Sequence, residues 1–205
     1  MTIVKTQIII MALDLFSQYG IKSVSMDDIA RNMGISKRTL YSFFDDKETL
    51  LVESLLYLNQ QLKQYFKELK KGTYTAVDII ILFHQKAMER PRWYSRKFYE
   101  DLKRYPKAVE MKNGEKEEFT EVCISLFDKG VKEGVFQKEV NFEIMALLAK
   151  EQFKMLHPSK SFSKHSNTDV YNTVLFTFLR GICTDKGRVI LDSWIRKKQL
   201  NIIQN

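Results

Sequence analysis

The sequence predicts an all-α protein of about nine helices: an N-terminal three-helix helix-turn-helix domain followed by a larger helical domain. Only three prolines and eight glycines interrupt 205 residues, too few breakers for a chain of short strands and turns. Apolar side chains recur at helical spacing through most segments, with no hairpin signal between them. Residues 25–44 fold two short helical patterns around a single glycine.

In chain order, Ile8, Ala12, Leu15, Phe16 and Tyr19 repeat at helical spacing and Gly20 stops the run, which predicts a first helix over 3–19. Ser25 with Asp28 reads as a cap, Ile29 and Ala30 line a short second helix ending near Met33, and Gly34 allows a sharp turn. Ser36 caps a third helix, Lys37 to Phe43. Asp45 and Asp46 open a fourth, carrying Leu50, Leu51, Leu55, Leu58 and Leu62 to about Lys70. Thr75 and Asp78 open a helix to about Glu89. Pro91 begins another to about Tyr105, where Pro106 interrupts it, and a further helix runs from about Glu115 to Lys132. Asn141 caps one to about Leu156, residues 158–167 form a polar loop, and helices over about 168–181 and 185–200 finish the chain. The elements divide into domains over 1–48 and 49–205.

A net charge of +8 points to a nucleic-acid partner. Its distribution does not locate the contact surface. Residues 1–50 balance Lys5, Lys22, Arg31, Lys37, Arg38 and Lys47 against Asp14, Asp27, Asp28, Asp45, Asp46 and Glu48, so the whole excess lies beyond them. Local geometry must locate it instead. Within 25–44, Ile29, Ala30, Ile35, Leu40 and Phe44 can pack inward, leaving Ser36, Lys37, Arg38, Thr39, Tyr41 and Ser42 outside. An apolar inner face, a tight turn and a row of donors are what a helix needs to enter a major groove.

This stretch resembles the TetR family of bacterial regulators. Phe16, Ile29-Ala30, Gly34-Ile35-Ser36, Thr39-Leu40-Tyr41, Phe44, Lys47-Glu48 and Leu50-Leu51 fall at that family's spacing, over about the first 55 residues. The resemblance implies a DNA-binding transcriptional regulator, expected to be a repressor, released from a palindromic operator by a small, largely apolar effector. By position, it implies that Lys37, Arg38, Thr39 and Ser42 face base edges and backbone in the groove. Tyr41 and Lys47 would bind phosphates, and Ser25 would donate to another; Ser36 belongs to the same exposed row. Two residues depart from the pattern. Arg38 stands where a small residue is common, adding either a guanine or a phosphate contact, and Met33 replaces the usual alanine between the two short helices.

The resemblance also implies that the larger domain holds a ligand pocket and forms a homodimer. Phe83, His84, Met88, Trp93, Tyr94 and Phe98 crowd two adjacent helices, and Phe119, Phe127 and Phe153 add bulk. Such residues either line an apolar cavity or fill a core. A filled core would favour the alternative, a helix-turn-helix protein regulated by a protein partner with no small-molecule ligand. Tyr171, Leu175 and Phe178, then Ile190 and Trp194, form apolar stripes near the chain end that a second copy would cover.

An enzyme is not expected, because no nucleophile elbow, phosphate loop, dinucleotide fingerprint or metalloprotease helix is present. No catalytic residues, metal site or cofactor are expected. His84, His157 and His165 are scattered, and Cys123 and Cys183 read as small buried hydrophobes. No apolar run approaches the about 18 residues of a membrane span and no leader pattern opens the chain, so the expected location is cytoplasmic, with no membrane partner.

Overall fold

The computed structural model describes residues 3–88, 96–156, 162 and 164–203. Among them are ten α-helices: α1 Ile3–Tyr19, α2 Met26–Met33, α3 Lys37–Tyr41, α4 Lys47–Lys71, α5 Ala76–Met88, α6 Arg96–Leu102, α7 Pro106–Lys132, α8 Phe142–Leu156, α9 Asn167–Ile182 and α10 Asp185–Ile203. The all-α class stands, with one helix more than the approximate count from sequence. Pro106 does not sit in a break ahead of the seventh helix. It is that helix's first residue, where its missing N–H is unneeded and its fixed φ suits the helix, so α7 starts well before Glu115.

The chain forms two compact units, one of Met1–Gln64 with Arg90–Lys116 and one of Tyr65–Glu89 with Glu117–Asn205. In the first, Ile8, Ile9, Ala12, Leu13 and Phe16 of α1 pack with Ile29 and Ala30 of α2, Leu40 of α3, and Leu50 and Leu51 of α4. Phe98 and Leu102 of α6 close the same core, edge-on contact with Tyr99 included. Polar contacts fix α6 to the start of the chain: the buried Asp101 carboxylate accepts the Lys22 N–H at 2.8 Å. Gly20 is required there twice over. Its φ is +86°, and a Cβ would lie 2.8 Å from Asp101 Oδ2.

The second unit is built around Val77 and Ile81 of α5, Phe127 of α7, Ala146 of α8, Leu175 and Leu179 of α9, and Leu191 of α10. Thr75 and Asp78 cap α5 reciprocally, and the other Asp78 oxygen accepts the Trp194 indole N–H at 2.7 Å. After α7, the chain pairs briefly with the α9–α10 turn: Gln137 N–H donates to the Ile182 carbonyl and Thr184 N–H to that of Val135. Burial pushes the Cys123 thiol up to about 12 and that of Cys183 up to about 11, so both remain protonated at neutral pH.

Candidate nucleic-acid interface

The surface around α3 starts with two serine caps. Ser25 Oγ accepts the Asp28 N–H, while Asp28 Oδ2 accepts the Ser25 backbone N–H at 2.9 Å and its hydroxyl at 2.6 Å. This reciprocal box satisfies donors that the first turn of α2 would leave open. It also holds the Asp28 carboxyl below its ordinary range, chiefly through the Ser25 hydroxyl and then its N–H. At the other end of α2, Gly34 adopts φ 65°, ψ 27°, and the chain reverses with the Ile35 N–H bonded to the Ala30 carbonyl. Ser36 then caps α3, its Oγ accepting the Thr39 N–H at 3.1 Å.

The turn sets α3 with Leu40 fully buried and Ser36, Lys37, Arg38, Tyr41 and Ser42 exposed. Thr39 is half-buried, and its hydroxyl lies 2.8 Å from that of Ser36. Met33 and Ile35 pack against the core beside the turn, so the unusual methionine is accommodated at the edge. The outer face carries two cations of different status. Lys37 forms an ion pair with Asp27 of α2, whereas Arg38 has no ion-pair partner among the described residues.

Lys47 departs from its expected place among the phosphate contacts. Its half-buried ammonium donates to the carbonyls of Ile21, at 3.1 Å, and Val24, at 3.0 Å, and lies 5.7 Å from the centre of the Tyr105 ring. In this arrangement Lys47 ties the loop between α1 and α2 to the start of α4. Glu48 adds a second tie, accepting the Lys107 N–H at 2.9 Å.

The model of the N-terminal domain of bacterial regulatory proteins of the tetR family matches residues 8–53, which span this whole assembly. Over these residues the chain matches the TetR family. Along more of its length, the chain is 25% identical to the HTH-type transcriptional repressor KstR2 of Rhodococcus jostii RHA1 over 149 residues, 68% of this chain and 71% of that one. Its fold matches a TetR-family regulator from Marinobacter aquaeolei VT8 with a TM-score of 0.75 at 16% identity, covering 96% of this chain and 98% of that one. It also matches the fatty acid degradation regulator FadR from Bacillus halodurans, with a TM-score of 0.69 at 15% identity and coverage of 87% and 96%.

Of the residues expected to line a pocket, Phe83, His84, Met88 and Phe127 lie in the second unit, whereas Phe98 is taken up by the core of the first. Trp93 and Tyr94 lie outside the described residues, as do the side chains of Phe119 and Phe153. His84 is buried, with Nε2 3.2 Å from Oδ1 of the buried Asn172, a polar pair joining α5 to α9. A charged open groove of about 450 Å³, lined by Ser125, Asp128, Lys129, Lys132 and Glu133, contains none of the expected pocket residues.

The expected pairing residues divide similarly. Tyr171 and Leu175 are buried within the second unit, Phe178, Ile190 and Trp194 are half-buried, and Trp194 is anchored to Asp78. The expected pairing residues leave out a row on α8, where Ile144, Leu147 and Leu148 are about half exposed at 54%, 49% and 49%. Their spacing of three and four residues makes one apolar row, a signal present in the sequence. On α9, which packs against α8, Thr173, Thr177 and Gly181 are exposed at four-residue intervals.

Proposed function

We propose that this chain is a cytoplasmic repressor that works as a homodimer, places α3 of each protomer in a major groove of a palindromic operator, and leaves it when a small, largely apolar effector binds. The observation that carries this reading is the row Ser36, Lys37, Arg38, Tyr41 and Ser42, held outward on a short helix whose inner residue Leu40 is fully buried. Arg38 is the residue for bidentate contact with a guanine edge, and Ser25, Thr39 and Tyr41 contribute polar contacts around it. Lys47 supports the recognition helix from behind, given its bonds to Ile21 and Val24.

Pairing is assigned to the row Ile144, Leu147 and Leu148 on α8 with the small exposed side of α9, and the occupant is a second copy of this chain. An apolar row next to small residues suits close antiparallel helix packing in a two-fold four-helix interface. Two-fold symmetry matches the two half-sites of a palindrome.

A largely apolar effector fits two of the fold neighbours, a fatty acid degradation regulator and a ketosteroid transcriptional regulator. In the second unit, the His84–Asn172 pair amid apolar side chains is the polar fixture such a ligand would meet. An effector can displace DNA only by binding the non-binding conformer more tightly.

The test is selection of genomic fragments with the full chain, followed by affinity titrations over a range of salt. Arg38→Gln is expected to weaken the selected site by about tenfold or more while leaving helicity intact. Absence of salt-sensitive binding to any duplex would overturn the reading.

A further inference from the structure

We infer that Asp27 acts as an internal competitor of DNA phosphate, holding the Lys37 ammonium on the protein's own surface and thereby restraining sequence-independent attraction to DNA. The inference rests on the DNA-binding reading above and assigns a specificity role to a residue outside the recognition helix.

The charge pattern is unusual for a surface meant to meet a polyanion. Residues 1–50 carry no net charge, and the carboxylates stand beside the cations of the α2–α3 surface. Asp27 pairs with Lys37, and Asp28 lies 3.5 Å from Arg31. Of these four groups, Asp28 is already committed to the Ser25 cap, which explains its presence structurally. Asp27 takes no part in that cap: it sits in the first turn of α2, where its charge suits the helix dipole, and its described partner is Lys37, across the turn in the next helix.

Both side chains of the Asp27–Lys37 pair are open to solvent, at 43% and 64% exposure. An exposed pair of this kind contributes little to folding, so its effect falls on whatever else Lys37 might bind. Loose contact with an arbitrary duplex depends almost wholly on phosphate neutralisation and counterion release. While Lys37 stays on Asp27, that complex has one phosphate contact fewer per protomer. A site that docks α3 closely can displace Asp27, because base contacts by its neighbours hold Lys37 against the backbone. Asp27 therefore lowers background binding more than it lowers operator binding.

The experiment is a double-mutant cycle on the full chain, using a scrambled duplex of about 30 base pairs and fluorescence anisotropy from about 50 to about 200 mM salt. Asp27→Asn is expected to raise affinity about tenfold at the low-salt end and to steepen the logarithmic salt slope by about one per engaged protomer. In a Lys37→Gln background the same substitution should change the slope by less than about 0.3. An equal effect in both backgrounds would mean that Asp27 acts only through long-range charge, and the inference fails. No effect in either background also overturns it. Asp27→Ser is run beside Asp27→Asn, with circular dichroism as a check on folding, so that a local defect in one variant does not decide the outcome. If neither the wild-type chain nor any variant binds duplex, the DNA-binding reading itself is lost and this inference with it.

Discussion

The two units handle apolar surface differently. In the first, exposed large apolar residues are spread over several helices: Ile3 and Val4 begin α1 and Tyr19 ends it, Tyr41 sits on α3 and Leu56 on α4. Its inner residues, from Ile8 and Phe16 through Leu40 to Leu50, are excluded from solvent. The second unit has an equally closed interior at Val77, Leu179 and Leu191, yet it leaves Ile144, Leu147 and Leu148 half exposed in one row on α8. Scattered apolar residues need no explanation, while an aligned row on a single helix marks a face that another surface covers. The first unit thus presents mostly polar groups outward, while the second presents an aligned apolar face, the one proposed above for pairing.

The largest expected effect tests that contrast directly. Changing Leu147→Glu and Leu148→Glu together should convert the proposed dimer to a folded monomer in sedimentation or light scattering, with helicity unchanged. Each side chain is about half exposed, so covering two from each copy contributes about 3–6 kcal/mol to association. Losing that corresponds to about a hundredfold or more in the dimer dissociation constant. A dimer that persists in the double variant would put the pairing face elsewhere and remove the distinction between the units.

A smaller effect separates backbone geometry from packing in the first unit. Gly34 has φ +65° and nothing within 4 Å of an added Cβ. Gly34→Ala should therefore cost about 1–2 kcal/mol through the left-handed backbone alone, read as a lower urea midpoint. Gly34→Asn should recover part of that loss, since asparagine tolerates this region better. Equal losses for both would point to a contact rather than the backbone.

Sequence reading succeeded where a few neighbouring residues determine the outcome and failed where distant ones do. The caps at Ser25 and Ser36 and the turn at Gly34 each depend on partners within three or four positions, so α1 to α3 were legible almost to the residue. The bonds that hold Lys47 are not legible locally, because its partners, Ile21, Val24 and Tyr105, come from a loop before it and a turn long after it. Phe98 and Phe83 lie on helices adjacent in sequence, yet the fold places Phe98 in the core that α1 lines. Tyr171 and Leu175 showed helical periodicity correctly, but periodicity does not say whether the chain itself or another copy covers a stripe. Pro106 signals a break in the sequence and a first helical position in the fold, because its tolerance there depends on where the helix begins.

The smallest effect concerns pH and the Ser25–Asp28 box. Because the bonds from Ser25 hold the Asp28 carboxyl below its ordinary value of 3.8, the ionised form is favoured by folding. The sign follows: a depressed folded value contributes stability that is fully present above 3.8 and disappears as the pH falls through the folded value. Asp28→Asn removes the ionisable acceptor while keeping a similar shape. Wild type should therefore melt above Asp28→Asn at neutral pH, and the gap should close on acidification below 3.8. Ser25→Ala should lose the same pH dependence, because without the hydroxyl the carboxylate keeps only the weaker of its two Ser25 bonds. A gap of constant size from neutral to acidic pH would show that the box acts through the backbone cap alone, with the carboxylate's charge playing no part in the stability of the first unit.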